Sequence, residues 1–328
     1  MIRWILAVVS LVCVVASSPA QDWQPVTEAL IVAEKPGFGK LCGVAVDHQT
    51  GHVTINLSDK GLYRSTDQCK SWQRIGMPFK GRTETPGCLM LDPFGGKRLV
   101  SALVYGASIL VSSDRGETAK ALDKKSMHVD WCAVDWSDAD MKFILTLKHE
   151  SGDLLLVSRD AGKTFDEVGK GYGPAWIFDN QTAVVAQAKS KAILKPGLLR
   201  TTDAGKTFEP CGDFHAKALP RWHKDTLYWL VEGELISSRD QGKSWQPIGN
   251  LKGGRFGPIF GKSADHLFVL TQAGIVESTD AGKSWSKAIL APKGMKSVAP
   301  LSWVEYDPLS DTLYIMTMGS ELYRWQRK

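Results

Sequence analysis

The residues best suited to chemistry lie in three short stretches. His128-Val129-Asp130-Trp131 sets an imidazole two positions from a carboxylate, His149-Glu150 sets a second such pair further on, and Glu84 precedes both. Two carboxylates flanking a sugar bond are the minimum for most glycoside hydrolysis. An imidazole beside a carboxylate can carry a proton. Glu84, His128, Asp130, His149 and Glu150 are therefore the catalytic candidates. Arg221-Trp222-His223 joins a cation to an aromatic plane, a combination suited to holding a ligand. Six evenly distributed carboxylates, Asp67, Asp114, Asp160, Asp203, Asp240 and Asp280, invite a calcium or catalytic reading. Their shared surroundings assign them another role.

Each of the six sits third in an eight-residue pattern, Ser/Thr-x-Asp-x-Gly-x-Thr/Ser-aromatic, as in Ser158-Arg159-Asp160-Ala161-Gly162-Lys163-Thr164-Phe165. Two copies depart from it, with Cys69 in the glycine place and Ala119 in the aromatic place. The pattern describes a hairpin turn: the Asp accepts hydrogen bonds from turn amides, the Gly takes a backbone conformation costly for other residues, and the aromatic anchors the next strand. The aspartates are thus structural, and Cys69 predicts a less regular first turn. Successive copies lie 37 to 47 residues apart, the length of a four-stranded propeller blade. Between them run short apolar segments parted by turn residues, such as 87–91, 98–105 and 108–112, with no sustained helical period.

The pattern is identified as the Asp-box, or BNR, repeat. The resemblance implies an all-β fold, a seven-bladed β-propeller filling residues 21–328 as one domain. After the last box three strands remain without a fourth (304–306, 312–318 and 321–325), and Asp22-Trp23-Gln24-Pro25-Val26 reads like the post-box strand Ser244-Trp245-Gln246-Pro247-Ile248. The N-terminal strand is expected to complete the last blade, closing the ring and removing its exposed edge.

In propellers of this kind the box turns occupy one face and ligands bind the other. The opposite-face loops here are 35–40, 77–86, 120–128, 148–153, 169–176, 187–196, 212–220, 250–257 and 292–297. Lys80, Arg82, Lys124, Lys125, Lys189, Lys191 and Arg255 would give that face a positive potential, with Phe38, Tyr172, Trp176 and Trp222 as stacking planes. The ligand-binding candidates are Arg82, Tyr172, Trp176, Arg221, Trp222 and Arg255.

Arg3, an apolar run from Trp4 to Ala16, and Ser17-Ser18-Pro19-Ala20 read as a signal peptide over residues 1–20, cut before Gln21. The apolar run is short for a membrane span. The expected destination is secreted or periplasmic, as a monomer that does not span the membrane. The formal charge of +5 is no nucleic-acid footprint. Setting aside Cys13, five cysteines remain (Cys42, Cys69, Cys88, Cys132, Cys211), an odd number without metal-site spacing. Neither metal nor cofactor is expected.

Among Asp-box families, sialidases carry an arginine in a Phe/Tyr-Arg-Ile-Pro motif ahead of the first box, and no such motif exists here. Glu305-Tyr306 matches their nucleophile pair only by adjacency, since alternation sends neighbouring side chains to opposite faces of a strand. Xyloglucan-active propellers use two tandem rings, and this chain has length for one. The chain resembles most the single-ring photosystem II stability and assembly factors and the sortilin-type propellers. That implies a non-enzymatic exported propeller binding a protein or an anionic glycan on the face opposite the boxes. The alternative is a carbohydrate-active enzyme, a sialidase-like hydrolase or polysaccharide lyase, working through an axial polar pocket.

Overall fold

A computed structural model describes residues 22–327 except 77–78, 107, 123–126, 192, 233, 296–297 and 299. The segment read as a signal peptide, with Cys13, lies outside the described residues.

Seven antiparallel sheets follow one another around a ring, six of four strands and one of three. The innermost strands are Leu41–Val46, Leu89–Leu91, Val129–Val134, Tyr172–Ile177, Arg221–His223, Gly254–Phe260 and Ser302–Asp307. Inner and middle strands are covered on both faces by neighbouring blades, so they read as nearly unbroken apolar runs, such as Leu154–Ser158 and Leu267–Thr271. Outermost strands face water and read as polar, such as Gln73–Ile75 and Gln246–Ile248. The core is accordingly a set of apolar layers between blades. Gly43 is required there: a side chain at that position would meet the Trp303 ring of the last blade at 2.8 Å.

The ring closes as the sequence implies. Gln24 and Pro25 pair with Arg324 and Tyr323. The Thr27 hydroxyl accepts from the Leu322 amide at 2.9 Å and donates to Glu321 at 2.8 Å. Two expectations are corrected. A short helix, Glu28–Glu34, stands between the closing strand and the first blade, where no helical period was legible. Among the described residues the sixth blade has no regular fourth strand; after its box Ile289 bridges Ile275 and the Ser286 amide donates to the Glu277 carbonyl.

All six repeat turns share one geometry. In the third, Asp160 Oδ1 accepts from the Ser158 hydroxyl (2.8 Å) and the Thr164 amide (2.9 Å), and Oδ2 accepts from the Thr164 hydroxyl (2.7 Å). Ser158 Oγ in turn accepts from the Gly162 amide at 2.9 Å. The two residues after each aspartate have left-handed backbones, here Ala161 (φ 60) and Gly162 (φ 77). The first turn is no less regular, contrary to expectation: Cys69 adopts φ 65, and its amide reaches Ser65 Oγ at 2.8 Å. The turn's hydrogen bonds hold a non-glycine residue in a conformation it disfavours.

Neighbouring blades are latched through these turns. Arg159 donates to the Ala204 carbonyl and Arg200 to the Gln241 carbonyl, both at 2.8 Å, and Arg64 and Arg324 reach the carbonyls of Arg115 and Gln68 in the same way. Each accepting residue is the one that follows the repeat aspartate. Among the described residues no helix is long and apolar enough to cross a membrane.

Ser158→Ala removes a buried hydroxyl that serves three partners, and is expected to lower unfolding free energy by about 1–3 kcal/mol in urea titrations. An unchanged value would remove the turn from the stability account. Hydrogen bonds from Thr118, Thr164 and Ser284 hold Asp114, Asp160 and Asp280 down at about 2, below the ordinary value of about 3.9. Their stabilisation is complete above about pH 4 and lost as pH falls toward 2. The contribution of these aspartates to the urea midpoint should therefore hold from pH 7 to 5 and fall steeply below 4.

Candidate functional site

Two places in the ring collect polar side chains. The first is the axial channel, a cavity of about 240 Å³ whose lining includes Arg221, Trp222, Trp176 and Glu305. It also includes His48 and Pro93, from connections between first and second strands, so the channel communicates with the box-turn face. Trp176 and Trp222 stack with ring centroids 6.0 Å apart and 7° between planes, and Phe94 meets Trp222 edge-on. Arg221 lies over the Phe256 ring at 4.7 Å, with Nε and one Nη enclosed and without hydrogen-bond partners. Burial pushes Glu305 up to about 7, the Arg221 charge opposing that rise. Tyr306 points the other way, into the apolar layer between blades, as alternation requires. Arg221, Trp222 and Trp176 are thus wall residues of the channel: Arg221-Trp222-His223 lies at the channel as the sequence suggested, whereas Trp176 and Trp222 are not stacking planes of the opposite-face loops.

The second place is on the opposite face, over blades two and three. The loop leading into blade two carries Arg82 and Glu84, held by a bridge between Arg82 and Val104. Thr83 below them donates its amide to the buried Asn56 side chain at 3.1 Å. Tyr105 comes from the loop after the second strand of blade two, and His149 and Glu150 from the matching loop of blade three. Asp130 is the second residue of blade three's inner strand. The His149 amide donates to the His128 carbonyl at 2.9 Å, which ties the two histidine segments together.

These residues form one connected cluster. His149 Nδ1 lies 2.5 Å from Asp130 Oδ1, and Nε2 lies 3.1 Å from the Tyr105 hydroxyl, which also donates to Glu150 at 3.1 Å. Tyr105 packs edge-on against His149 and tilted against His128, each at 5.1 Å. Arg82 pairs with Glu84. Its guanidinium lies 4.6 Å from the Phe38 ring centre and 4.4 Å from that of Tyr105. Burial raises Asp130 above its ordinary range, the charges of Glu84 and Asp153 adding to this and the His149 contact opposing it.

All five catalytic candidates therefore meet, but on a face and not in the axial pocket, and Arg82 joins them. Glu84, Asp130 and His149 each offer a ligand atom within 4.8 Å of the others, a grouping that linear spacing did not display. Tyr105, the hinge of the cluster, was missed by sequence reasoning. It ends the apolar run 98–105 read as a strand, and no motif marked it. Arg255 is exposed at a separate recess of about 480 Å³ on this face, shared with Lys217, His215, Glu232 and Thr85-Pro86. Tyr172 is half-buried against Phe208. Lys124 and Lys125 lie outside the described residues.

Exposed large apolar side chains also divide unequally. Six of the eight among the described residues (Val32, Phe38, Tyr105, Leu194, Leu290 and Leu301) stand on connections of this face, and two, Phe94 and Leu309, on the box-turn face.

No protein-family model and no curated protein matches the sequence. Solved structures do. YCF48 bound to D1 peptide aligns over 95% of this chain and 98% of its own, at 14% identity and TM-score 0.54. YCF48 from Cyanidioschyzon merolae aligns over 93% and 98%, at 9% identity and TM-score 0.52. The β-propeller domain of Cps50 (Swd1) from Myceliophteria thermophila aligns over 88% and 97%, at 10% identity and TM-score 0.58. At these identities the likeness shows the fold, a β-propeller, and nothing finer.

Between about pH 4.3, the ordinary glutamate value, and about pH 7, folded Glu305 holds a proton that the unfolded chain has released. Stability from this group therefore declines as pH rises across that window, by at most about 1.4 kcal/mol per pH unit. Glu305→Gln is expected to flatten the dependence of the urea midpoint between pH 5 and 8. An unaltered slope would show that Glu305 titrates normally.

Proposed function

We propose that this chain is an exported binding propeller that takes an extended polypeptide segment across the face opposite its box turns. The observation that carries the reading is the collection of exposed apolar side chains on that face, beside a cluster whose charged groups are already held in place. Of these side chains Phe38 and Tyr105 lie together, on either side of Arg82, and apolar groups gathered on a surface mark interaction sites. Phe38 and Tyr105 are 75% and 45% exposed while flanking a fixed guanidinium, so they offer contact area at little ordering cost.

The chemistry of the face suits a polypeptide better than an anionic glycan. Around Tyr105 the carboxylates Glu84, Asp130 and Glu150 outnumber Arg82, which favours a basic or amide-rich segment. Lys217 and Arg255 at the recess would accept an acidic one. The paired tryptophans that could have stacked on sugar rings are packed into the channel wall instead. The YCF48 structure with a bound D1 peptide is consistent with this use of the fold.

A second reading keeps one specific observation in its favour. Asp130, His149 and Tyr105 are hydrogen-bonded in series, an order able to pass a proton, so a carbohydrate-active enzyme remains the alternative.

Peptides selected from a random displayed library are expected to lose at least about tenfold in affinity with the Phe38→Ala/Tyr105→Ala variant, the loss of a hot-spot pair. Phe94→Ala, on the other face, should leave binding unchanged. Equal binding by both variants would defeat the reading. So would release of reducing ends from a polysaccharide panel that disappears in Asp130→Asn.

A further inference from the structure

We propose that Glu84, Asp130 and His149 form a binding site for a divalent first-row transition-metal ion of the Zn²⁺ or Mn²⁺ kind. The three residues approach from separate segments: the loop entering blade two, the inner strand of blade three, and the loop after that blade's second strand. Their ligand atoms lie within 4.8 Å of one another. Ligands around a tetrahedral ion bonded at about 2.0–2.1 Å stand roughly 3.3 Å apart, so side-chain rotations of about 1 Å suffice to close the set.

The donor set decides the class of ion. One imidazole with two carboxylates suits zinc or manganese, whereas calcium and magnesium take oxygen ligands. Three protein ligands leave a coordination position for water or for a donor atom of a bound partner. All three side chains are partly accessible, so an ion can reach them.

The surroundings match those of a supported metal site, in which groups behind the ligands fix their orientation. Tyr105 holds one ring nitrogen of His149 at 3.1 Å. Arg82 engages only Oε1 of Glu84 and is itself set between two aromatic rings. The His149–Asp130 contact of 2.5 Å is the one that an ion would replace. A second imidazole–carboxylate contact, His266 with Glu277, differs. There Arg327 bridges Glu277 to Asp311, so both carboxylates already share a guanidinium.

The test is calorimetric titration of chelator-treated protein with ZnCl₂, MnCl₂, MgCl₂ and CaCl₂, independent of any polypeptide ligand. One Zn²⁺ or Mn²⁺ per chain is expected, bound at least about tenfold more tightly than Mg²⁺ or Ca²⁺. Asp130→Asn and His149→Ala should weaken it by about tenfold or more, with His52→Ala, between the first and second strands of blade one on the box-turn face, unchanged. If either variant loses its thermal transition, folded Glu84→Gln decides in its place. Absence of saturable Zn²⁺ and Mn²⁺ binding overturns the site, as does binding indifferent to these substitutions. Equal affinity for Mg²⁺ or Ca²⁺ overturns the class of ion.

Discussion

The architecture depends on a carboxylate accepting hydrogen bonds from its own turn. In each repeat the aspartate takes an amide and two hydroxyls, and the leading Ser or Thr takes the amide of the second left-handed residue. Without those acceptors, two successive left-handed residues would be costly, since only glycine enters that region freely. With them, even Cys69 is held there at φ 65. The turn then presents the carbonyl of its first left-handed residue outward, where an arginine of the preceding blade reaches it. One local arrangement thus shapes a hairpin and ties it to its neighbour. The depressed carboxylates are the electrostatic side of the same arrangement.

The division of labour between the two faces follows. Third-to-fourth-strand connections are committed to a fixed turn, so substitutions there are felt by the ring. Second-to-third-strand and inter-blade connections carry no such pattern. They vary in length and composition and can hold exposed aromatics, a helix or charged clusters without disturbing the repeat. Closure by Gln24 and Pro25 also removes the sheet edge at which another chain could add a strand.

The repeat made blade number, box geometry and closure legible, because each rests on contacts a few residues apart or on matching the two ends. The helix Glu28–Glu34 escaped notice because it is one short unbroken apolar run, Ala29 to Ala33, which shows no helical period. Trp176 and Trp222, read as stacking planes of the opposite face, line the channel instead. In an inner strand alternate side chains face the axis, and the distance of a residue along the strand decides which mouth it approaches. Trp222 lies in a strand of only three residues, so its position gave little sign of depth. The Glu84–Asp130–His149 grouping is assembled by the ring itself, from segments 19 to 65 residues apart, and no local pattern encodes it.

The contrast between channel and face bears on which of them takes a ligand. Arg221 and Glu305 are charged residue types whose enclosure costs free energy, and they act on one another by charge, with no direct ion pair between them among the described residues. In the channel burial raises Glu305 toward its neutral form and the Arg221 guanidinium lies over the Phe256 ring. Over blades two and three the opposite holds. Arg82, Tyr105 and His149 are each fixed by two or more partners while aromatic edges remain exposed. Fixed side chains lose little freedom on association, and exposed ones have area left to bury. A surface that is both ordered and uncovered is physically prepared for a partner, and in this ring that description fits the face better than the channel.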